Sequence, residues 1–196
     1  MRYSSVYDKL SFVAGMDDGR PGRPVPGHDA QAAGKICDSY VQAEREDTYM
    51  TDEVIIRIRG TQRADGGEPD EPLEMVAVGE HYLRNNSHYV RYEELLEGYG
   101  QPNVNVVKFT ASRLEVIKNG VISANMLFEE NKKNLSVYTT PFGPIRMGIT
   151  ATFYSLREEE RKLSVDVHYV LDMNDAHASD CELHMEVLPR ESEFVL

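Results

Sequence analysis

The chain has 196 residues, a formal net charge of -12 and an isoelectric point near 4.9. A surface that negative repels phosphate backbones and anionic lipid headgroups, so neither nucleic acid nor a membrane is expected as a partner. Two distant cysteines, Cys37 and Cys181, make neither a disulfide framework nor a zinc-ligand pattern. No apolar run approaches the ~20 residues needed to cross a bilayer. The first residues, MRYSSVYDKL, lack the charged and apolar regions of a secretory signal. The expectation is a cytoplasmic, reduced protein without metal or cofactor.

The composition changes near residue 50. Residues 15–35 read GMDDGRPGRPVPGHDAQAAGK, and Pro and Gly at that density preclude a long helix or a central strand. Residues 1–50 are therefore expected to be an N-terminal extension, mobile or loosely docked, and residues 51–196 the folded domain. Met50, just before the first strand pattern, is a candidate for the true start.

From residue 52 apolar and polar residues alternate with period two, the signature of half-buried strands. Val54, Ile56 and Ile58 share one face and Arg57 and Arg59 the other. Met75 to Leu83 and His88 to Glu94 follow, joined at Asn85-Asn86. Next come Val104 to Thr110 and Leu114 to Ile117. Asn119-Gly120 signals a two-residue hairpin, since both central positions of a type I′ turn need positive φ. It leads to Ile122, Ala124, Met126 and Phe128 on one face. Leu135 to Thr140 ends at Pro141-Phe142-Gly143-Pro144. Ile145, Met147, Ile149, Ala151 and Phe153 then run in register. After the charged turn Arg157 to Lys162 come Leu163, Val165, Val167, Tyr169 and Leu171. Cys181, Leu183, Met185 and Val187 close the pattern.

No connection is long enough for a crossover helix, which excludes parallel βαβ architecture. Consecutive hairpins favour closure, because a barrel leaves no exposed sheet edge. The prediction is all-β: an antiparallel meander β-barrel of about 8–10 strands.

Four segments, EVIIRIRGTQ (53–62), YVRYEE (89–94), MLFEE (126–130) and YTTPFGPIRMGI (138–149), resemble the YwiB-like family of bacterial proteins over about residues 52–189. The resemblance implies a calycin- or lipocalin-like barrel and no assigned activity. Fold alone does not deliver function, since such barrels include carriers, inhibitors and enzymes.

Strand alternation puts Tyr89, Arg91 and Glu93 on one face and Val90, Tyr92 and Glu94 on the other, so either orientation sends an acid inward. If Arg91 and Glu93 point in, the planar guanidinium suits a carboxylate or phosphate headgroup; otherwise they form an outer ion pair. Tyr138, Thr140 and the loop to Gly143 form either a mouth or ordinary turn chemistry. Met126, Phe128, Met147 and Phe153 either line a cavity or fill the core. His168 and His184, with Asp166 and Glu186, could meet on neighbouring strands, but they alternate with the apolar face and show no HxH or HExxH spacing. There is no GxSxG elbow and no Gly-rich phosphate loop before a helix.

Three functions compete. The first is a carrier of a small, largely apolar ligand in a cavity of a few hundred Å³, its polar end fixed by Arg91 or a Tyr hydroxyl. The second is an interaction module whose acidic outer surface engages a basic protein partner or a second copy of the chain. The third is an enzyme with an Arg/Glu/Tyr cluster at the mouth, which no motif demands.

Overall fold

The computed structural model describes residues 52–64, 67–68, 70–96 and 98–190. The proposed N-terminal extension and Cys37 lie outside the described residues. The strands are β1 (Asp52–Ala64), β2 (Leu73–Arg84), β3 (Ser87–Glu94), β4 (Asn103–Thr110) and β5 (Arg113–Asn119). They continue as β6 (Ala124–Glu129), β7 (Lys133–Thr140), β8 (Gly143–Glu159), β9 (Lys162–Met173) and β10 (Ala176–Pro189). No helix among the described residues is long and apolar enough to cross a membrane.

The ten strands form one antiparallel sheet in the order β6-β5-β4-β3-β2-β1-β10-β9-β8-β7. Every neighbouring pair is consecutive in the chain except β1 and β10, which close the sheet along an unbroken register from Val54↔Pro189 to Ala64↔Ser179. The outermost strands, β6 and β7, are themselves a hairpin. They meet through bridges at Ser123↔Thr139 and Glu129↔Lys132, and the Ser136 hydroxyl donates to the Asn125 carbonyl between those bridges (2.6 Å). The result is a nearly closed meander barrel.

Alternation sorts the side chains. On β4, Asn103, Asn105, Val107 and Phe109 are buried and the residues between them are half-exposed. On β5 the buried set is Leu114, Val116 and Lys118. Large inward side chains, with Tyr92, Phe109, Leu114, Ile149 and Met185 among the most buried, fill the middle of the barrel.

Two turns match the type I′ pattern: Asn85 and Asn86 at φ 49° and 57°, and Asn174 and Asp175 at 49° and 67°. The expected two-residue hairpin at Asn119-Gly120 is instead a longer loop, with Lys118↔Ala124 as its last ladder pair. Asn103 explains the difference. Its Nδ2 donates to the Ile122 carbonyl (2.9 Å) and its Oδ1 accepts from the Ile122 amide (3.4 Å), so a side chain satisfies the loop backbone. The expected register of β8 breaks at Phe153. The ladder to β9 shifts between Ala151 and Phe153, so Tyr154 turns inward and Phe153 outward, as a β-bulge dictates.

Connections after the odd-numbered strands gather at one rim of the barrel, here the upper rim. The even-numbered turns gather at the lower rim, beside the start of β1 and the end of β10.

Candidate functional site

An internal cavity of about 100 Å³ lies beneath the upper rim. Its wall is mostly apolar: Met75 from β2, Val107 from β4, Val116 from β5, Met126 and Phe128 from β6, Leu171 from β9 and Met185 from β10. Tyr92, Tyr169 and Cys181 add polar atoms, and Gln62, Asp70 and Glu71 lead to the surface. Burial pushes the Cys181 thiol up from its ordinary value, although contacts with Ser179 and Tyr169 oppose this. A thiol held protonated is a poor nucleophile.

A charged layer lies one step along the strands from this wall. Glu94 follows Tyr92 by two residues, Lys118 follows Val116 by two, and Asn105 precedes Val107 by two, all on the inner face. Lys118 Nζ lies 3.0 Å from Glu94 Oε2, with its side chain 1% exposed. Asn105 Nδ2 donates to the same carboxylate oxygen (3.2 Å). Burial pushes Lys118 down to about 8, and Glu94 opposes that fall by charge and hydrogen bond. Donation to Glu94 fixes the orientation of the Asn105 amide and leaves its buried Oδ1 without a hydrogen-bond partner.

Of the residues singled out in the sequence, Tyr92, Met126 and Phe128 line the cavity. Tyr89, Arg91 and Glu93 do not: β3 turns Val90, Tyr92 and Glu94 inward. Arg91 and Glu93 instead face each other on the outer surface at 3.5 Å, and Tyr89 stacks on Tyr82 with ring centroids 4.9 Å apart. The physical reason is burial: the face holding Val90 and Tyr92 removes more apolar area from water. Tyr138 and Met147 are buried but lie off the cavity wall. Thr140 is occupied by its turn, accepting from the Phe142 amide (3.1 Å) and donating to the Gly143 carbonyl (3.0 Å).

His184 and Asp166 do meet across β9 and β10, at 2.6 Å. Asp166 also accepts from Arg157 (2.8 Å), and Lys162 pairs with Glu186. His168 packs on Phe153 instead. Among the described residues no group of three or more His, Cys, Asp or Glu side chains could hold a metal ion.

The sequence reading missed Lys118 and Asn105. The signal was present: both are in phase with the apolar residues of their own strands, where a polar residue breaks the pattern.

No curated protein matches the chain. The barrel is similar to the crystal structure of the ywiB protein from Bacillus subtilis. That match has a TM-score of 0.61 and 18% sequence identity, and covers 71% of this chain and 92% of the other. The family model described as a domain of unknown function (DUF1934) matches residues 56–185, from the first strand to the last, and the chain belongs to that family.

Proposed function

We propose that the barrel binds a compact, largely apolar small molecule in the cavity beneath its upper rim. The observation that carries this reading is an internal space of about 100 Å³ walled by Met75, Met126 and Met185. Thioethers on three rotatable bonds adapt to a guest that rigid side chains would exclude. The space is smaller than the few hundred Å³ expected from sequence, so the guest is compact; an apolar cavity of about 150 Å³ accommodates benzene. Arg91 faces away and cannot fix the polar end. Asn105 Oδ1, buried without a partner one layer from the wall, fits a hydrogen-bond donor such as a hydroxyl. A lipocalin-like carrier role belongs to the same reading.

Native mass spectrometry beside a denatured control looks for a co-purified guest. Thermal shift with toluene and phenol then probes the site. Stabilisation by toluene that is lost in Val116→Phe, a substitution that fills the space, supports the cavity. Phenol stabilising at least as well as toluene, and losing that advantage in Asn105→Leu, supports the polar end. No adduct and no shift with either probe refutes the reading.

A second reading, docking of a protein partner on the outer wall, is favoured by Val76 and Val78. Both are about half-exposed on β2, in register with Arg57 and Ile55 of β1. Self-association that disappears in Val76→Ser/Val78→Ser, followed by size-exclusion chromatography, is the expected sign; unchanged elution with and without the substitutions removes self-association through this face.

A further inference from the structure

The lower mouth of the barrel opens into a cleft of about 790 Å³ whose lining includes His81 and His88. These histidines flank the Asn85-Asn86 turn. That turn sets His81 opposite Val90 and His88 opposite Leu83, so the imidazoles are diagonal neighbours on the inner face, within reach of each other. His81 Nε2 lies 3.0 Å from His88 Nδ1. The ring centroids are 5.3 Å apart and the planes differ by 21°. Adding about 1.15 Å from centroid to nitrogen on each side accounts for that separation, so the rings meet edge to edge with their nitrogens in line. This is the geometry of an N–H···N hydrogen bond. It is not that of two ligands converging on one ion, whose centroids would sit closer for the same nitrogen separation.

The pair is held from every side. His88 is buried and stacks on Phe109 of β4, with centroids 5.0 Å apart. Its other nitrogen, Nε2, faces the Glu158 carboxylate of β8 at 3.6 Å. Asp52 of β1 stands opposite His81 in register. Glu53, Glu159, Glu160, Arg161, Lys162 and Arg190 complete the charged surroundings of the mouth; of these, Glu53 pairs with Arg190 and Lys162 with Glu186. Burial pulls His81 below its ordinary value, His88 adds to the fall, and Asp52 opposes it.

We propose that His81 and His88 form a proton-sharing latch that holds His88 over Phe109 at the inner end of this cleft and releases it when both rings are protonated. A neutral imidazole both donates and accepts, so the bond exists with no added proton. One added proton leaves an acceptor on the partner ring and keeps the bond, with Glu158 and Asp52 balancing the charge. A second proton puts N–H groups on both facing nitrogens and two positive rings in contact, and the pair separates. His88 then swings off Phe109 and extends the apolar floor of the cleft, which Val54 and Val187 already line, down to that ring.

Histidine-ring NMR of the full chain, titrated with acid, tests the sharing. The expected result is two steps more than about one pH unit apart. His88→Phe keeps a ring on Phe109 and removes the bond; there His81 should titrate in one step, nearer its ordinary value. Glu158→Gln, on the exposed side of the array, should move the first step to lower pH. Fluorescence of anilinonaphthalene sulfonate, read where circular dichroism shows the fold intact, should rise with the second step in the wild type. Two independent single steps at one pH, or a His81 titration unchanged by His88→Phe, would overturn the proton sharing. Two coupled steps with no rise in dye fluorescence would overturn the latch.

Discussion

Glu94→Gln isolates the buried ion pair. Gln keeps an oxygen for Asn105 Nδ2 and removes the negative charge beside Lys118, whose side chain is 1% exposed. A buried pair broken on one side costs about 3–5 kcal/mol, because the remaining charge has no partner. The pH dependence has a definite sign. Lys118 is pushed from 10.5 to about 8 in the folded chain, which at 1.36 kcal/mol per unit corresponds to about 3 kcal/mol. Below about 8 both states hold the proton and that cost is fully present. Between 8 and 10.5 the unfolded chain holds more protons, so stability rises with pH. Without Glu94, burial acts unopposed and drives Lys118 lower still. The variant should therefore lose about 3–5 kcal/mol at about pH 7, and about 1 kcal/mol less than that at about pH 9.5, where Lys118 is neutral in both folded proteins. Urea unfolding at the two pH values measures both. Adding Lys118→Met should recover most of the loss, since a neutral pair leaves no buried charge. A loss below about 1 kcal/mol at neutral pH, or an equal loss at both pH values, would show that the Lys118 ammonium is solvated and refute the reasoning.

Gly79→Ala should destabilise the barrel by about 2–3 kcal/mol in urea unfolding: its Cβ would lie 2.7 Å from Ile56 Cδ1 and against the Arg91 carbonyl oxygen, and backbone there has no room to retreat. Tyr154→Phe should cost about 1–2 kcal/mol, because the hydroxyl donates to the Thr110 carbonyl (2.6 Å) and ties β8 to the turn after β4; an unchanged melting temperature would show that water replaces the bond without loss. Cys181 should resist iodoacetamide in the native chain and react on unfolding, because burial keeps its thiol protonated. Peptide mapping reads the adduct, and native labelling at the rate of an exposed thiol would contradict the burial.

The strand order was legible because each strand presents one buried face, and period two is robust to the identity of the apolar residue. The exceptions have local causes. Phe153 continues the alternation of Ile149 and Ala151 in sequence, but the bulge before it adds one residue and reverses its direction; nothing in the composition of β8 announces that shift. Asn119-Gly120 carries the right residues for a tight turn, yet the loop is organised by Asn103, a partner sixteen positions earlier that no local rule includes. On β3, alternation established which residues share a face. It did not establish which face is inner, because each carries an acid and a tyrosine. That choice depends on Val90 packing against the neighbouring strands. The His81–His88 pair required the register of the Asn85-Asn86 turn and the diagonal neighbour rule together.

The layers along the barrel axis explain why a space survives beneath the upper rim. An eight-stranded barrel is just filled by its own side chains, and the enclosed diameter grows with strand number. Ten strands therefore enclose more than ordinary aliphatic side chains can fill. In the lower half, aromatic rings answer that demand: Phe109 lies under His88, and Tyr154 reaches across to Thr110. Towards the upper rim Gly60, Val107, Val116 and the methionines share the wall with Tyr92, Phe128 and Tyr169, while Lys118 and Asn105 Nδ2 both bind Glu94 along β3 to β5. Polar groups bound to each other cannot also pack inward to fill the middle. The void thus sits where small and flexible side chains interrupt the aromatic wall beside the Glu94–Lys118 layer. Under the proposed reading, that position would give a guest an adaptable wall, with the unpartnered Asn105 Oδ1 one layer away.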